Sequence, residues 1–191
     1  MQRVGILGGS FDPVHNAHLR IAKSFLKSGL IEKLLVIPAP SPPHKSDLQT
    51  SFQHRFEMLK IAFQDWKNVE VSDLEERLPI PSYSIQTIQH LQEKNPETRF
   101  YLCLGEDSLS HFHKWYKYKE IIKQITIMVA ERPGFDSSTV EKEILEKTIF
   151  VDHDPFGISS TEIRESMNDQ NGTDKIPVPV LEYIRTYHLY E

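Results

Sequence analysis

The strongest constraint on this chain sits near its start, where the apolar run Val4-Gly5-Ile6-Leu7 leads straight into Gly8-Gly9-Ser10-Phe11-Asp12-Pro13-Val14-His15-Asn16-Ala17-His18. A run without polar alternation predicts a strand covered on both faces, as in the middle of a parallel sheet. Beyond Pro13, Leu19, Ala22, Phe25 and Leu26 recur at helical spacing, and Gly29 stands where a helix C-cap is expected. Strand, glycine turn and helix in that order make an anion site. Adjacent glycines let the backbone turn and come close to a ligand, and the helix N-terminus offers unpaired N–H groups. The stretch is neither G-x-G-x-x-G nor a G-K-[ST] loop, which disfavours a dehydrogenase-type dinucleotide site and a P-loop.

The same alternation continues along the chain. Leu34 to Ile37 reads as a second buried strand, stopped by Pro38 and a proline-stiffened loop that ends at His44-Lys45. Ser51 is placed to cap a helix with Phe52, Phe56, Leu59 and Phe63 inward, and Val69-Glu70-Val71 reads as a third strand. Ser82-Tyr83-Ser84 precedes a helix marked by Ile85, Ile88 and Leu91, and Phe100 to Leu104 is a strand running into Gly105-Glu106-Asp107. Ile125 to Ala130 and Thr148 to Val151 complete a set of five to six strands. Ile158-Ser159-Ser160-Thr161-Glu162-Ile163-Arg164 offers serine caps to a further helix, with Arg164 expected in its first turn, and Val180, Ile184 and Tyr187 suit a last helix on the sheet. With no repeat or linker, the economical fold is α/β, a doubly wound parallel sheet with helices on both faces, in one domain spanning residues 1–191.

Composition narrows the partners. A formal charge of -5 argues against a broad nucleic-acid-binding surface, which depends on clustered Lys and Arg. No apolar run approaches the ~20 residues that span a bilayer, so no membrane partner is expected. One cysteine allows no internal disulfide, and the cytoplasm is the expected location. Cys103, inside a strand, reads as a buried small apolar residue.

Several residue sets are candidates for chemistry. His15 and His18, three apart, share a face if a helix begins at or just after His15. They suit phosphate contact, a general acid/base pair, a zinc pair, or plain capping and core histidines; the zinc pair lacks both H-E-x-x-H and a cysteine set, and no metal-ligating residues are assigned. Ser159, Ser160 and Arg164 combine hydroxyls, helix N–H groups and a guanidinium suited to a polyphosphate, against the plainer reading of a solvated arginine. His44 and Lys45 form either a third anion contact or exposed loop residues. Trp115 and Tyr116 are either core or a stacking surface. Asp107 either holds ribose hydroxyls or caps a helix.

Taken together, these residues resemble the bacterial nicotinate-nucleotide adenylyltransferase family, within the nucleotidyltransferase superfamily that carries an H-x-G-H type motif. Gly8-Gly9-Ser10-Phe11-Asp12-Pro13 matches its G-G-[ST]-F-D-P, and Ile158 to Arg164 matches its I-S-S-T-x-[IL]-R. Pro42-Pro43-His44-Lys45, Ser82-Tyr83-Ser84, Gly105 with Asp107 and Trp115, and Arg132-Pro133-Gly134 resemble the intermediate motifs. Ala17 stands where the motif has glycine, and Ser84 where threonine is commoner.

The resemblance implies a Rossmann-like nucleotidyltransferase fold and transfer of AMP from ATP to nicotinate mononucleotide. The products would be nicotinate adenine dinucleotide and pyrophosphate, with Mg²⁺ accompanying the triphosphate rather than held by a dedicated protein site. It further implies that Gly8, Gly9, Ser10 and Phe11 meet phosphate, with His15, His18 and Arg164 as the catalytic groups. Ile158, Ser159, Ser160, Arg164 and Asp107 would bind ATP. Ser10, His44, Lys45, Tyr83, Ser84, Trp115, Tyr116 and Arg132 would bind the mononucleotide, with Trp115 on the pyridine ring. Self-association into a homo-oligomer stays open. Competing readings are phosphopantetheine adenylyltransferase, an enzyme preferring nicotinamide mononucleotide, and a nucleotide-sensing module without turnover.

Overall fold

The computed structural model describes residues 1–42, 48–131, 134–154, 157–167 and 173–190. Six strands, all parallel, form a single sheet: β1 (Gln2–Gly9), β2 (Lys33–Pro38), β3 (Val69–Val71), β4 (Thr98–Gly105), β5 (Thr126–Glu131) and β6 (Thr148–Asp152). Their order is β3-β2-β1-β4-β5-β6. The chain therefore winds outward from β1 in one direction, returns, and winds outward from β4 in the other. Where order reverses, between β1 and β4, the loops leaving the two strands diverge and open a crevice at their C-terminal ends.

Side-chain alternation divides the core into two layers. On one face Leu7, Leu34, Val36, Tyr101, Cys103, Met128 and Ala130 meet α1 (Asn16–Lys27) and α2 (Phe52–Phe63). The same layer takes in Ile163 of α7 (Ser160–Met167), and Val180 and Ile184 of α8 (Val178–Thr186). On the other face Val4, Ile6, Leu35, Ile37, Leu102, Leu104, Ile127 and Val129 meet α3 (Ser84–Lys94), α4 (Glu106–Ser110), α5 (Tyr118–Gln124) and α6 (Lys142–Leu145). The expected double winding is therefore observed. Gly5 is needed at the centre of the first layer, because a Cβ there would lie 2.7 Å from Ile31, 2.8 Å from the Cys103 sulfur and 2.9 Å from Leu34. Cys103 is fully buried, and desolvation pushes its thiol pKa upward, away from the reactive thiolate.

Three local expectations are corrected. Gly8 and Gly9 belong to β1 itself, and the turn falls after them: Phe11, not a glycine, takes the left-handed backbone, with φ 48°. Gly9 makes room for the Phe11 ring, which a Cβ at that position would meet at 3.0 Å. In α2 the buried face is Arg55, Met58, Leu59, Ala62 and Phe63, while Phe52 and Phe56 are only partly covered and stack on each other at 6.0 Å. Arg164 is the fifth residue of α7, one turn beyond the first. Ser51 does cap α2, accepting from the His54 N–H at 3.3 Å, and Gly29 follows α1 with φ +70°.

Candidate active site

Two stretches far apart in sequence close on each other beside the β1–β4 crevice. Arg164 donates through Nη1 to the Asp12 carbonyl at 2.7 Å, and the Ser160 hydroxyl donates to the Pro13 carbonyl at 3.1 Å. α7 thus lies against the loop between β1 and α1. Ser159 opens α7 with a capping box: its hydroxyl accepts from the Glu162 N–H at 3.2 Å, and its own N–H donates to the Glu162 carboxylate at 2.7 Å. The Ser159 hydroxyl also donates to the Glu162 carboxylate at 2.8 Å, and this bond first, with that from the Ser159 N–H, pulls the Glu162 pKa down. Ile158 packs on the first core layer, so its side chain anchors the approach to α7.

The histidines are arranged by the helix start. His15 is the N-cap of α1, nearly buried, and its N–H donates to Nδ1 of His18 at 3.2 Å. With Nδ1 accepting, a neutral His18 ring carries its proton on Nε2. The two rings lie 3.8 Å apart, and Phe11 meets His18 edge-on at 4.9 Å. Phe11 is 2 % exposed, so its ring belongs to the core and supports His18 from below. Ala17 lies in the first turn of α1 and is partly exposed.

The Asp12 carboxylate is fully engaged in holding the loop. One oxygen accepts from the Gln49 N–H at 2.8 Å; the other accepts from Thr50 Oγ1 and, at 2.7 Å, from the Tyr190 hydroxyl. Burial and the neighbouring Asp12 charge push the Tyr190 pKa well up, so it remains a donor at neutral pH. Neither Asp12 nor Tyr190 was singled out in the sequence, because their partners lie far along the chain.

Next to this junction a cavity of about 660 Å³ opens at the C-terminal ends of β1 and β4. Its walls include Gly8, Gly9 and Ser10 on one side, and Tyr83, Ser84, Asp107, Trp115 and Tyr116 on the other. Trp115 packs on Phe112 at 5.0 Å while lining the cavity, so it is both half core and half wall. Tyr83 and Tyr116 pair at 4.4 Å, and Tyr116 is 50 % exposed. Tyr83 is also the N-cap of α3, so the first N–H groups of that helix, beginning at Ser84, stand at the wall. Asp107 lies in the first turn of α4, grouped with these residues rather than with Ser160 and Arg164.

Glu75 also lines the cavity, and no local sequence signal marks it. It is 8 % exposed, accepts from the Thr87 hydroxyl at 2.7 Å, and desolvation raises its pKa. His44, Lys45 and Arg132 lie outside the described residues. Among the described residues, no group of three His, Cys, Asp or Glu side chains gathers in a metal-holding arrangement. The Asp12 carboxylate, nearest in sequence to the histidines, is committed to the loop.

A parallel sheet with this strand order, a histidine-bearing helix start after β1 and a serine–arginine helix docked on it defines a nucleotidyltransferase; the cytidylyltransferase-like family model matches residues 6–166. The chain is 35% identical over 194 residues to the nicotinate-nucleotide adenylyltransferase of Bacillus subtilis, covering 100% of both chains. It is 41% identical over 167 residues to a probable nicotinate-nucleotide adenylyltransferase of Thermotoga maritima, covering 85% of this chain and 80% of that one. The chain belongs to the nicotinate-nucleotide adenylyltransferase family. In fold it is similar to the Plasmodium falciparum nicotinic acid mononucleotide adenylyltransferase solved in complex with NaAD. The TM-score is 0.83 at 24% identity, over 100% of this chain and 98% of that one.

Proposed function

We propose that this chain transfers AMP from ATP to nicotinate mononucleotide, giving nicotinate adenine dinucleotide and pyrophosphate in NAD synthesis. The observation that carries this reading is the docking of α7 on the loop after β1, through Arg164–Asp12 and Ser160–Pro13, beside a cavity with an aromatic wall. The docking gathers the donors a triphosphate needs, and the cavity has the size and aromatic lining an acceptor ring needs.

The reaction is an in-line displacement at the α-phosphorus of ATP. An oxygen of the mononucleotide phosphate forms the new P–O bond, and the bond from the α-phosphorus to the oxygen bridging the β-phosphorus breaks, its electron pair leaving with pyrophosphate. The acceptor phosphate is already anionic near neutral pH, so no base is required to activate it. Catalysis then rests on alignment and on donors aimed at the charge that develops. His18 Nε2–H and the main-chain N–H groups from Gly8 to Phe11 supply such donors, with His15 beside them. Arg164 and the N–H groups opening α7 hold the departing phosphates. The Ser159 and Ser160 hydroxyls act by fixing α7 in place, since both are engaged within the protein. Trp115 stacks on the pyridine ring, and N–H groups at Ser84 and Tyr116 receive its carboxylate, with Asp107 on a ribose. His44, Lys45 and Arg132 keep their assignment to the acceptor phosphate side. Mg²⁺ arrives with the triphosphate and neutralises part of its charge. The cytoplasm, where ATP and the mononucleotide meet, is the proposed location; no helix among the described residues is long and apolar enough to cross a membrane.

The test is pyrophosphate release from ATP and Mg²⁺ with nicotinate mononucleotide, nicotinamide mononucleotide and phosphopantetheine in turn. The reading expects the nicotinate acceptor to be preferred by kcat/KM. Preference for either other acceptor, or no release with any, overturns it.

A further inference from the structure

Among the described residues Arg55 is the largest fully buried side chain, 1 % exposed, the fourth residue of α2. Its Nη1 donates to the Ser10 carbonyl at 2.6 Å and to the Ala39 carbonyl at 2.9 Å. Among the described residues it makes no ion pair, and its Nε has no hydrogen-bond partner. Desolvation lowers its pKa, and the Asp12 charge opposes that shift. Taking a guanidinium out of water costs several kcal/mol, and an apolar side chain of similar volume commonly serves stability as well or better. Stability of the core is therefore a weak reason for this residue.

What an apolar side chain lacks is the grip on two carbonyls at once. Ser10 leaves β1 and Ala39 leaves β2, and the two loops are already paired by the Ala39 N–H donating to the Gly9 carbonyl at 2.9 Å. The Ser10 carbonyl and the Phe11 N–H belong to one peptide plane and point opposite ways. Holding that carbonyl toward α2 aims the Phe11 N–H away from it. We propose that Arg55 is a positioning residue for AMP transfer: by clamping the Ser10 and Ala39 carbonyls it fixes the Ser10–Phe11 peptide so that the Phe11 N–H faces the phosphates. The proposal rests on the adenylyltransferase reading of the site. The strained backbone at Phe11, φ 48°, is the conformation the clamp has to maintain.

Three variants test it: Arg55→Met keeps the volume, Arg55→Lys keeps the charge without the fork, and Arg55→Ala leaves a hole shaped for free guanidinium. Each is checked for fold by near-ultraviolet circular dichroism, then assayed for AMP transfer and, by calorimetry, for ATP binding. The expectation is that Arg55→Met and Arg55→Lys lower kcat by about 100-fold, in the range of a lost transition-state donor, with the KM for the acceptor changed less than about threefold. Guanidinium at low millimolar concentration restores Arg55→Ala at least about tenfold, while ammonium at equal concentration does not. A kcat for Arg55→Met within about threefold of the parent, or loss in Arg55→Ala that guanidinium leaves untouched, overturns the proposal. If Arg55→Ala fails to fold, the Met and Lys variants decide alone. If the parent protein transfers no AMP, the functional reading fails, and the clamp is read from ATP binding: a loss of about tenfold in Arg55→Met supports it and an unchanged affinity overturns it.

Discussion

At the scale of single residues, the site separates groups that meet a ligand from groups that aim them. In the proposed function His18 is of the first kind: its Nδ1 accepts from the His15 N–H, so a neutral ring carries its donor on Nε2. His18→Ala is expected to lower kcat by about 10²–10³, equivalent to about 3–4 kcal/mol, with the thermal midpoint nearly unchanged. Steady-state rates and a melting curve on the same preparation check both halves. Glu75, in the cavity wall, is a buried carboxylate. Its burial raises its pKa, so its contribution to stability is fully present below the carboxylate's ordinary pKa and is lost as pH rises through the elevated one. Glu75→Gln keeps the acceptor for Thr87 and removes the charge, and its new NH₂ has the Ser82 hydroxyl, which faces the same carboxylate, as an acceptor. The variant should melt higher than the parent at pH 8, with the difference vanishing toward pH 4. A difference that is constant with pH would show that charge at Glu75 does not matter.

At the scale of elements, the two signature stretches are held by bonds that leave other elements. The Tyr190 hydroxyl, in the turn after α8, reaches Asp12 in the loop before α1. Tyr190→Phe removes one charge-assisted bond of about 1.5–3 kcal/mol, and Asp12 keeps Gln49 and Thr50. The melting point should fall by several degrees and the KM for ATP rise, which calorimetry and initial rates together will read. Unchanged values for both would reduce the tie to a surface contact. Strands are the most legible elements: Val69–Val71 is legible to the residue because valine, glutamate, valine alternates as an edge strand with one covered face does. Ends and faces are less so. Gly8 and Gly9 looked like a turn, yet they serve to admit the Phe11 ring and open the strand end to the cavity. Phe52 and Phe56 looked like the inner face of α2 because they are aromatic. Met58, Leu59, Ala62 and Phe63, extended back by one turn, put Arg55 on that face instead, and this periodicity was available in the sequence. Asp12–Tyr190 and Glu75–Thr87 left no such trace, since nothing local marks a bond that closes across the fold.

At the scale of the whole molecule, the sheet reversal puts the phosphate junction and the aromatic cavity side by side on separate structural supports. The junction joins the first loop to α7; the cavity's aromatic wall comes from the segment between β3 and α5. Losses in one should therefore spare binding in the other. ATP at about 100 times its Kd stabilises a domain of this size by about 2.7 kcal/mol, a shift of about 5–10 °C. Arg164→Met is expected to abolish most of that shift while retaining the shift given by nicotinate mononucleotide, and Trp115→Ala to do the reverse. Equal losses in both variants would tie the two regions into one unit. The bond from Arg164 to Asp12 spans 152 residues, and that from Tyr190 spans 178. During synthesis the glycine–histidine loop leaves the ribosome 152 and 178 residues ahead of the side chains that clamp and tether it. A nascent chain can thus carry both histidines and most of the sheet before that loop is held, and the loop is secured only when the residues that close back on it arrive.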